Sequence, residues 1–460
     1  MSHYSMGNLS KPKSAGNGTI VIKKIGLKKF SFLGFTAVSS AVLAFLPTLA
    51  NAADTPPPAL NGGDTAWVLI STALVLMMTI PGLALFYSGM VRKKNILGTM
   101  AHSYGATAMV SIVWVLLGYS LAFNTEGANN DFIGGFGNIL LSGIDINALT
   151  TTIPTLLFVT FQMTFAIITV AILAGAFAER IKFGSFMLFS ALWILLVYAP
   201  ICHWVWGGGW LMQKGAMDFA GGTVVHINAG VAGLVMAYVL GKRHGYGRES
   251  MAPANLSLTL IGTGLLWVGW FGFNGGSALA ANGLAGNAIL VTQVAAAAGA
   301  LTWFAVEKIA HGKASVLGGA SGAVAGLVGI TPASGFVDVS GALAIGVLTA
   351  IGCYYSVNYL KRWLKVDDTL DAFGLHGVGG IIGAILTGIF VSPAVIGKPV
   401  DTSLLERIWL QSEGVLATAV YCAIMTYLIA KIIQATVGLR VSDEEEYDGL
   451  DLAVHGERLE

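Results

Sequence analysis

The chain has 460 residues, 55% of them hydrophobic and only 11% charged, with a formal net charge of +1. Soluble domains carry about 25% charged residues, so the composition excludes an ordinary soluble fold, and the near-zero charge gives no footing for nucleic acid. Gly is abundant at 60 residues; without periodic Pro this points to membrane helices packed closely through small residues.

Residues 1–29 are polar and carry Lys11, Lys13, Lys23, Lys24, Lys28 and Lys29 with no acid. An apolar run from Phe30 to Leu49 follows and ends in Ala50-Asn51-Ala52, an A-x-A cleavage pattern. Residues 1–52 therefore read as a signal peptide with a long basic leader, the alternative being a retained first helix. Either reading delivers Asp54 to the far side of the membrane.

Residues 53–438 read as the membrane domain. Apolar runs predict eleven further helices, with cores at 66–91, 100–123, 152–178, 183–202, 221–241, 255–274, 286–309, 314–331, 336–360, 371–391 and 405–437. Loops after the odd-numbered helices one to nine hold thirteen Lys and Arg, among them Arg92, Arg180, Arg243, Lys361 and Lys365. The opposite loops hold three: Lys214, Lys398 and Arg407. The positive-inside rule then places the mature N-terminus outside and the C-terminus in the cytoplasm. The three cysteines, Cys202, Cys353 and Cys422, lie in apolar runs at no metal or disulfide spacing and read as packing residues.

Two stretches carry ionisable groups into this apolar pattern. Asp218 to Gly233 reads D-F-A-G-G-T-V-V-H-I-N-A-G-V-A-G, and Asp371 to Gly383 reads D-A-F-G-L-H-G-V-G-G-I-I-G. Aligning His226 with His376 also aligns Gly230 with Gly380 and Gly233 with Gly383. An Asp at the centre of a membrane helix costs on the order of 2.5–3.5 kcal/mol, so two such stretches suggest one site built from two halves. They open helices five and ten, five helices apart, so the halves run in opposite directions. The plan is two inverted five-helix repeats, about 66–241 and 255–391, with a site between them near the bilayer midplane. Helix eleven, 405–437, stands outside the repeat, and its length suits a path across the outside of the bundle. Residues 439–460 form a polar, acidic tail, read either as solvated or as a cytoplasmic latch.

A lone membrane His usually serves helix–helix hydrogen bonding; two at matched positions read as a site. Neutral imidazole both donates and accepts, so His226 and His376 side by side could pass a polar molecule or a proton without a fixed charge. Asp218 and Asp371 each have two readings: attracting a cation, or capping a helix N-terminus. Phe161 and Phe165 share a helix face at i, i+4. Trp206 precedes three glycines, and Trp270-Phe271-Gly272-Phe273 precedes Asn274-Gly275-Gly276-Ser277. Such rings serve either as interface anchors or as cation–π partners.

These residues carry a resemblance. Phe161-Gln162, Ala178-Glu179-Arg180-Ile181, Trp206-Gly-Gly-Gly, the Asp218–His226 stretch, Gly269-Trp-Phe-Gly-Phe273-Asn-x-Gly-Ser277 and Phe373-Gly-x-His376-Gly resemble the ammonium transporter (Amt/Mep/Rh) family, bacterial Amt branch, over roughly residues 60–450. The resemblance implies an all-α membrane protein that recruits ammonium, removes a proton and passes ammonia through a hydrophobic pore. It implies a recruitment site of Trp206, Phe165, Ser277 and the Ala220 backbone, supported by Asp218. It implies a phenyl gate of Phe165 and Phe273, with Phe161 beside it, and pore walls of His226, His376 and Trp270. It further implies a homotrimer in the inner membrane, surrounded by lipid, with a PII-type signalling protein at the cytoplasmic face and no cofactor or metal.

Two other classes compete. An intramembrane enzyme would need a motif such as H-E-x-x-H or a nucleophile elbow, and neither occurs. An ammonium sensor with little flux would be expected to carry a signalling domain, which argues against it.

Overall fold

A computed structural model describes residues 59–459; the expected signal peptide lies outside the described residues. Among these, ten helices are long and apolar enough to cross a membrane. In chain order with one shorter apolar helix they are α1 (Gly62–Met90), α2 (Lys93–Phe123), α3 (Thr155–Phe177), α4 (Phe183–Gln213), α5 (Gly222–Leu240), α6 (Leu256–Gly275), α7 (Gly283–His311), α8 (Val316–Ile330), α9 (Val339–Leu364), α10 (Phe373–Phe390) and α11 (Leu404–Thr436).

The expected eighth helix is present, but at 15 residues it is shorter than a membrane span. It rises about 22 Å at 1.5 Å per residue, against a hydrocarbon core of about 30 Å. Local chemistry sets its ends: Ser315 accepts the Gly318 N–H at 2.8 Å, and Pro332 has no N–H with which to continue the helix. Asn61, Asn255, Asn282 and Asp338 cap α1, α6, α7 and α9 in the same way. A capping box of Ser403 and Glu406 starts α11.

The spans differ in how deeply they are covered. In α3 and α5, 78% of the apolar window is buried, against 33% in α11. The bundle is therefore organised around α3 and α5, and α11 lies at its periphery.

At one end of the bundle, charges counted in the sequence as loop charges are built into the protein. Glu179, at the end of α3, accepts from the Arg92 backbone N–H at 2.7 Å and its guanidinium Nε at 2.9 Å. Arg243, just after α5, reaches the same carboxylate at 3.4 Å and pairs with Asp367 at 2.8 Å. Arg180 is fully buried and donates to the carbonyls of Ala176, Ala178 and Asp367 and to the Thr369 hydroxyl. These contacts lash the ends of α1, α3 and α5 to the segment leading into α10.

The solvated reading of the tail does not hold. Leu439, Val441 and Leu450 are buried, and the Val441 N–H donates to the Arg180 carbonyl at 3.2 Å. Two short helices follow, Asp443–Asp448 and Leu450–Ala453. The buried Glu446 carboxylate accepts from Arg440 and from the His244 N–H, both at 2.6 Å. Asp451 accepts the Gly98 N–H at 2.8 Å.

Candidate functional site

α5 and α10 begin alike. Each opens with a wide turn, Gly222–Ile227 and Phe373–Gly377, in which backbone bonds span five residues; π turns of this kind recur at functional sites. The His226 N–H donates to the Gly221 carbonyl at 2.9 Å. Gly221 has φ +113°, a backbone region open to Gly and costly for other residues.

A carboxylate organises each start. Asp218 is buried, and its two oxygens accept four backbone N–H groups, from Gly221, Gly222, Thr223 and Val224, at 2.7–3.1 Å. Burial pushes this carboxyl above the usual carboxylate range, and the four donors pull it back. The equivalent group on α10 is not Asp371, which the sequence had offered as a cap. Asp371 pairs with Lys361 at 2.6 Å and has φ +57°. Asp368 takes the role instead, accepting the Ala372 and Phe373 N–H groups at 3.0 and 2.9 Å. His226 and His376 are 150 residues apart, and the same offset carries Asp218 onto Asp368. That offset was available in the sequence; the nearer acid drew attention from it.

The two helices touch backbone to backbone. A Cβ at Gly230 would lie 2.3 Å from the Gly377 nitrogen, and one at Gly380 would lie 2.9 Å from the Gly222 carbonyl and 3.0 Å from the Ile227 side chain. The contact of Gly230 with Gly377 becomes that of Gly380 with Ile227 when the offset is applied, so the crossing has a local twofold relation. Small residues at this point bring the imidazoles together. His226 Nδ1 and His376 Nδ1 are 3.1 Å apart, and both rings are buried.

From this pair a file of rings runs through the protein. His226 lies 5.2 Å from His376 between centroids and stacks on Trp270 at 5.5 Å. Phe273 is 6.1 Å from His226 and stacks on Phe165 at 4.2 Å. Phe161 meets Phe165 edge-on at 4.9 Å. Trp206 meets Phe165 edge-on at 5.9 Å, and its Nε1–H donates to the Asp218 carbonyl at 2.8 Å. Phe161, Phe165 and Phe273 are buried, and Trp206 is half-buried, so the file opens towards the surface at the indole. Ala220 is buried next to Asp218. The Ser277 hydroxyl donates to the Phe273 carbonyl at 2.8 Å, which leaves its oxygen lone pairs free.

Beyond the histidines lies a cavity of about 10 Å³, room for about one water-sized molecule. His376, Phe86, Ile172, Trp270 and Val324 help line it.

Thr331 was not singled out in the sequence. Its hydroxyl accepts the Trp270 Nε1–H at 2.8 Å and lies 3.3 Å from His226 Nε2. A single Thr closing a Gly- and Ala-rich helix carries no signal, save that it precedes the Pro that ends α8. Among the described residues no group of three or more His, Cys, Asp or Glu is placed to hold a metal ion.

The family model described as Ammonium Transporter Family matches residues 66–459. The chain belongs to that family. Among ammonium transporters it is 51% identical to one from Bacillus subtilis, over 86% of this chain and 98% of the relative. It is 47% identical to one from Aquifex aeolicus, over 93% of this chain and 98% of the relative. The crystal structure of Saccharomyces cerevisiae Mep2 superposes with a TM-score of 0.78 at 36% identity, covering 85% of this chain and 89% of that one. A structure described as a Sensor Amt Protein superposes with a TM-score of 0.80 at 29% identity, covering 85% and 98%. This member of the ammonium transporter family is thus a multi-span helical membrane protein.

Proposed function

We propose that the chain carries ammonium across the cytoplasmic membrane by taking the ion apart. The observation that supports this most is the file of rings from Trp206 to the histidine pair. It is aromatic at its surface end, apolar in the middle, and offers no fixed charge at the imidazoles. Ammonium is held at the mouth by the Trp206 and Phe165 rings, the Ser277 oxygen and the Ala220 carbonyl, with Asp218 fixing the backbone around them. The stacked Phe165 and Phe273 close the way to a hydrated ion. K⁺ cannot shed its charge there, whereas ammonium can lose a proton. Ammonia then crosses past His226, His376 and Trp270 and is reprotonated on the far side, and the proton travels with it or stays behind.

On this reading α8 completes eleven crossings, and α1–α5 and α6–α10 form two inverted repeats. The Trp206 mouth faces outside and the docked tail faces the cytoplasm. Three chains assemble, each with its own pore, and the tail face receives a PII-type signalling protein. The second reading is a sensor that moves little ammonium; the likeness to the Sensor Amt Protein favours keeping it.

Phe273→Ala tests the gate. The ring both blocks water and stabilises a partly dehydrated ion, so methylammonium uptake into proteoliposomes should fall several-fold or lose selectivity over K⁺. Unchanged uptake with unchanged selectivity would make Phe273 a packing residue.

A further inference from the structure

The bonds around Thr331 allow each imidazole proton to be placed by accounting. A hydroxyl has one proton and two lone pairs. The Thr331 backbone N–H bonds to the Val328 carbonyl, so it does not serve the Leu327 carbonyl, four residues back, as a helix would require. The Thr331 Oγ1–H bonds to that carbonyl instead, at 2.8 Å, and so spends its one proton. One lone pair receives the Trp270 Nε1–H at 2.8 Å. The remaining function of the oxygen, 3.3 Å from His226 Nε2, is to accept.

We infer that Thr331 is a positioning residue that fixes the proton order of the histidine pair. It holds His226 in the Nε2–H form, so that His226 Nδ1 must accept. His376 then donates from Nδ1 across the 3.1 Å contact. His376 Nε2 is left as a bare lone pair on the ring that lines the small cavity, where it can accept a hydrogen bond from ammonia or water.

This order has a direction. An imidazole pair relays a proton by taking one at the first free nitrogen, passing the shared proton across, and releasing one at the last. One relay from His226 Nε2 to His376 Nε2 leaves a proton on His226 Nε2, a proton on His376 Nδ1 and none on His376 Nε2. That is the arrangement Thr331 holds. The pair rests in its post-relay state, and the next proton in that direction waits until Thr331 releases His226 Nε2 and the ring protons of both histidines shift back. This consequence rests on the proposed transport function; the proton order itself does not.

The test is ¹⁵N solid-state NMR of histidine-labelled protein in proteoliposomes, which separates protonated from bare ring nitrogens, with His226→Gln and His376→Gln used for assignment. The wild-type protein should show His226 protonated at Nε2 and His376 at Nδ1. Thr331→Ser should keep that pattern. Thr331→Val removes the acceptor, and loss of one hydrogen bond should lower the ratio of the two orders about fivefold, so that His226 protonated at Nδ1 becomes visible. The opposite order in the wild-type protein, or an unchanged spectrum in a folded Thr331→Val protein, would overturn the proposal. The wild-type spectrum decides the order even where the Val variant misfolds. Ammonium uptake by the same vesicles reports on the transport reading separately.

Discussion

Replacing His226 with Asp should admit K⁺. The imidazole pair is buried, joined at 3.1 Å and set in a file of apolar rings, where it offers hydrogen bonds but no charge. A carboxylate at position 226 supplies a fixed negative charge on the path, and carboxylates in pores favour cations. K⁺-evoked current in proteoliposomes should rise from the background of protein-free vesicles to at least about a tenth of the ammonium current, which would put the K⁺ barrier no more than about 1.4 kcal/mol above the ammonium barrier. His376→Ala acts differently. It leaves the tube uncharged but breaks the pair, so where the proton crosses through the two imidazoles the ammonium-evoked current should fall at least about tenfold while K⁺ stays excluded. Should both variants keep wild-type current and exclude K⁺, the histidine pair is not the selectivity element.

The largest effect on stability is expected at Glu179. Its side chain is fully buried and its carboxylate is shared between Arg92 and Arg243. Removing one partner from a buried ion cluster costs about 3–5 kcal/mol, because the charges left behind lose their compensation. Glu179→Ala should therefore lower the unfolding free energy in detergent by about that much. The loss should be felt beyond α3, since the same cluster holds the segment leading into the helix of His376. A loss below about 1 kcal/mol would mean that water or Asp367 compensates the two guanidinium groups.

The sequence was informative wherever a residue type broke a strong pattern. His226 and His376 stand out because an imidazole is costly inside an apolar helix, and matched glycines gave their alignment. The long apolar runs gave the helix positions, and α8 departs from them only in being too short for a span. There a run of membrane character is cut to 15 residues by a Ser cap and a Pro, and local end signals outweigh hydropathy. Other features depend on geometry that residue type does not carry. Asp367, Asp368 and Asp371 are three acids within five positions, and they bind Arg243, the start of α10 and Lys361 respectively. Only the backbone path distinguishes them. Arg92, Arg180 and Arg243 look like loop charges that set topology, yet the fold holds them against carboxylates and carbonyls, Arg180 and Arg243 buried and Arg92 half-buried. Thr331 is ordinary in composition and matters through the three groups around its hydroxyl. The acidic tail looks like a solvated end, but the protein buries Leu439, Val441 and Leu450 from it, and with them the carboxylates of Glu446 and Asp451.

The central claim, that an ion is recruited but a neutral molecule crosses, is tested most directly by flux. The wild-type protein in proteoliposomes should be given an ammonium gradient and then an equal K⁺ gradient, with uptake, current and lumen pH recorded together. The account predicts ammonium uptake well above that of protein-free vesicles, and no K⁺ current above background. Ammonium uptake no greater than in protein-free vesicles, or K⁺ current comparable to that evoked by ammonium, would contradict it.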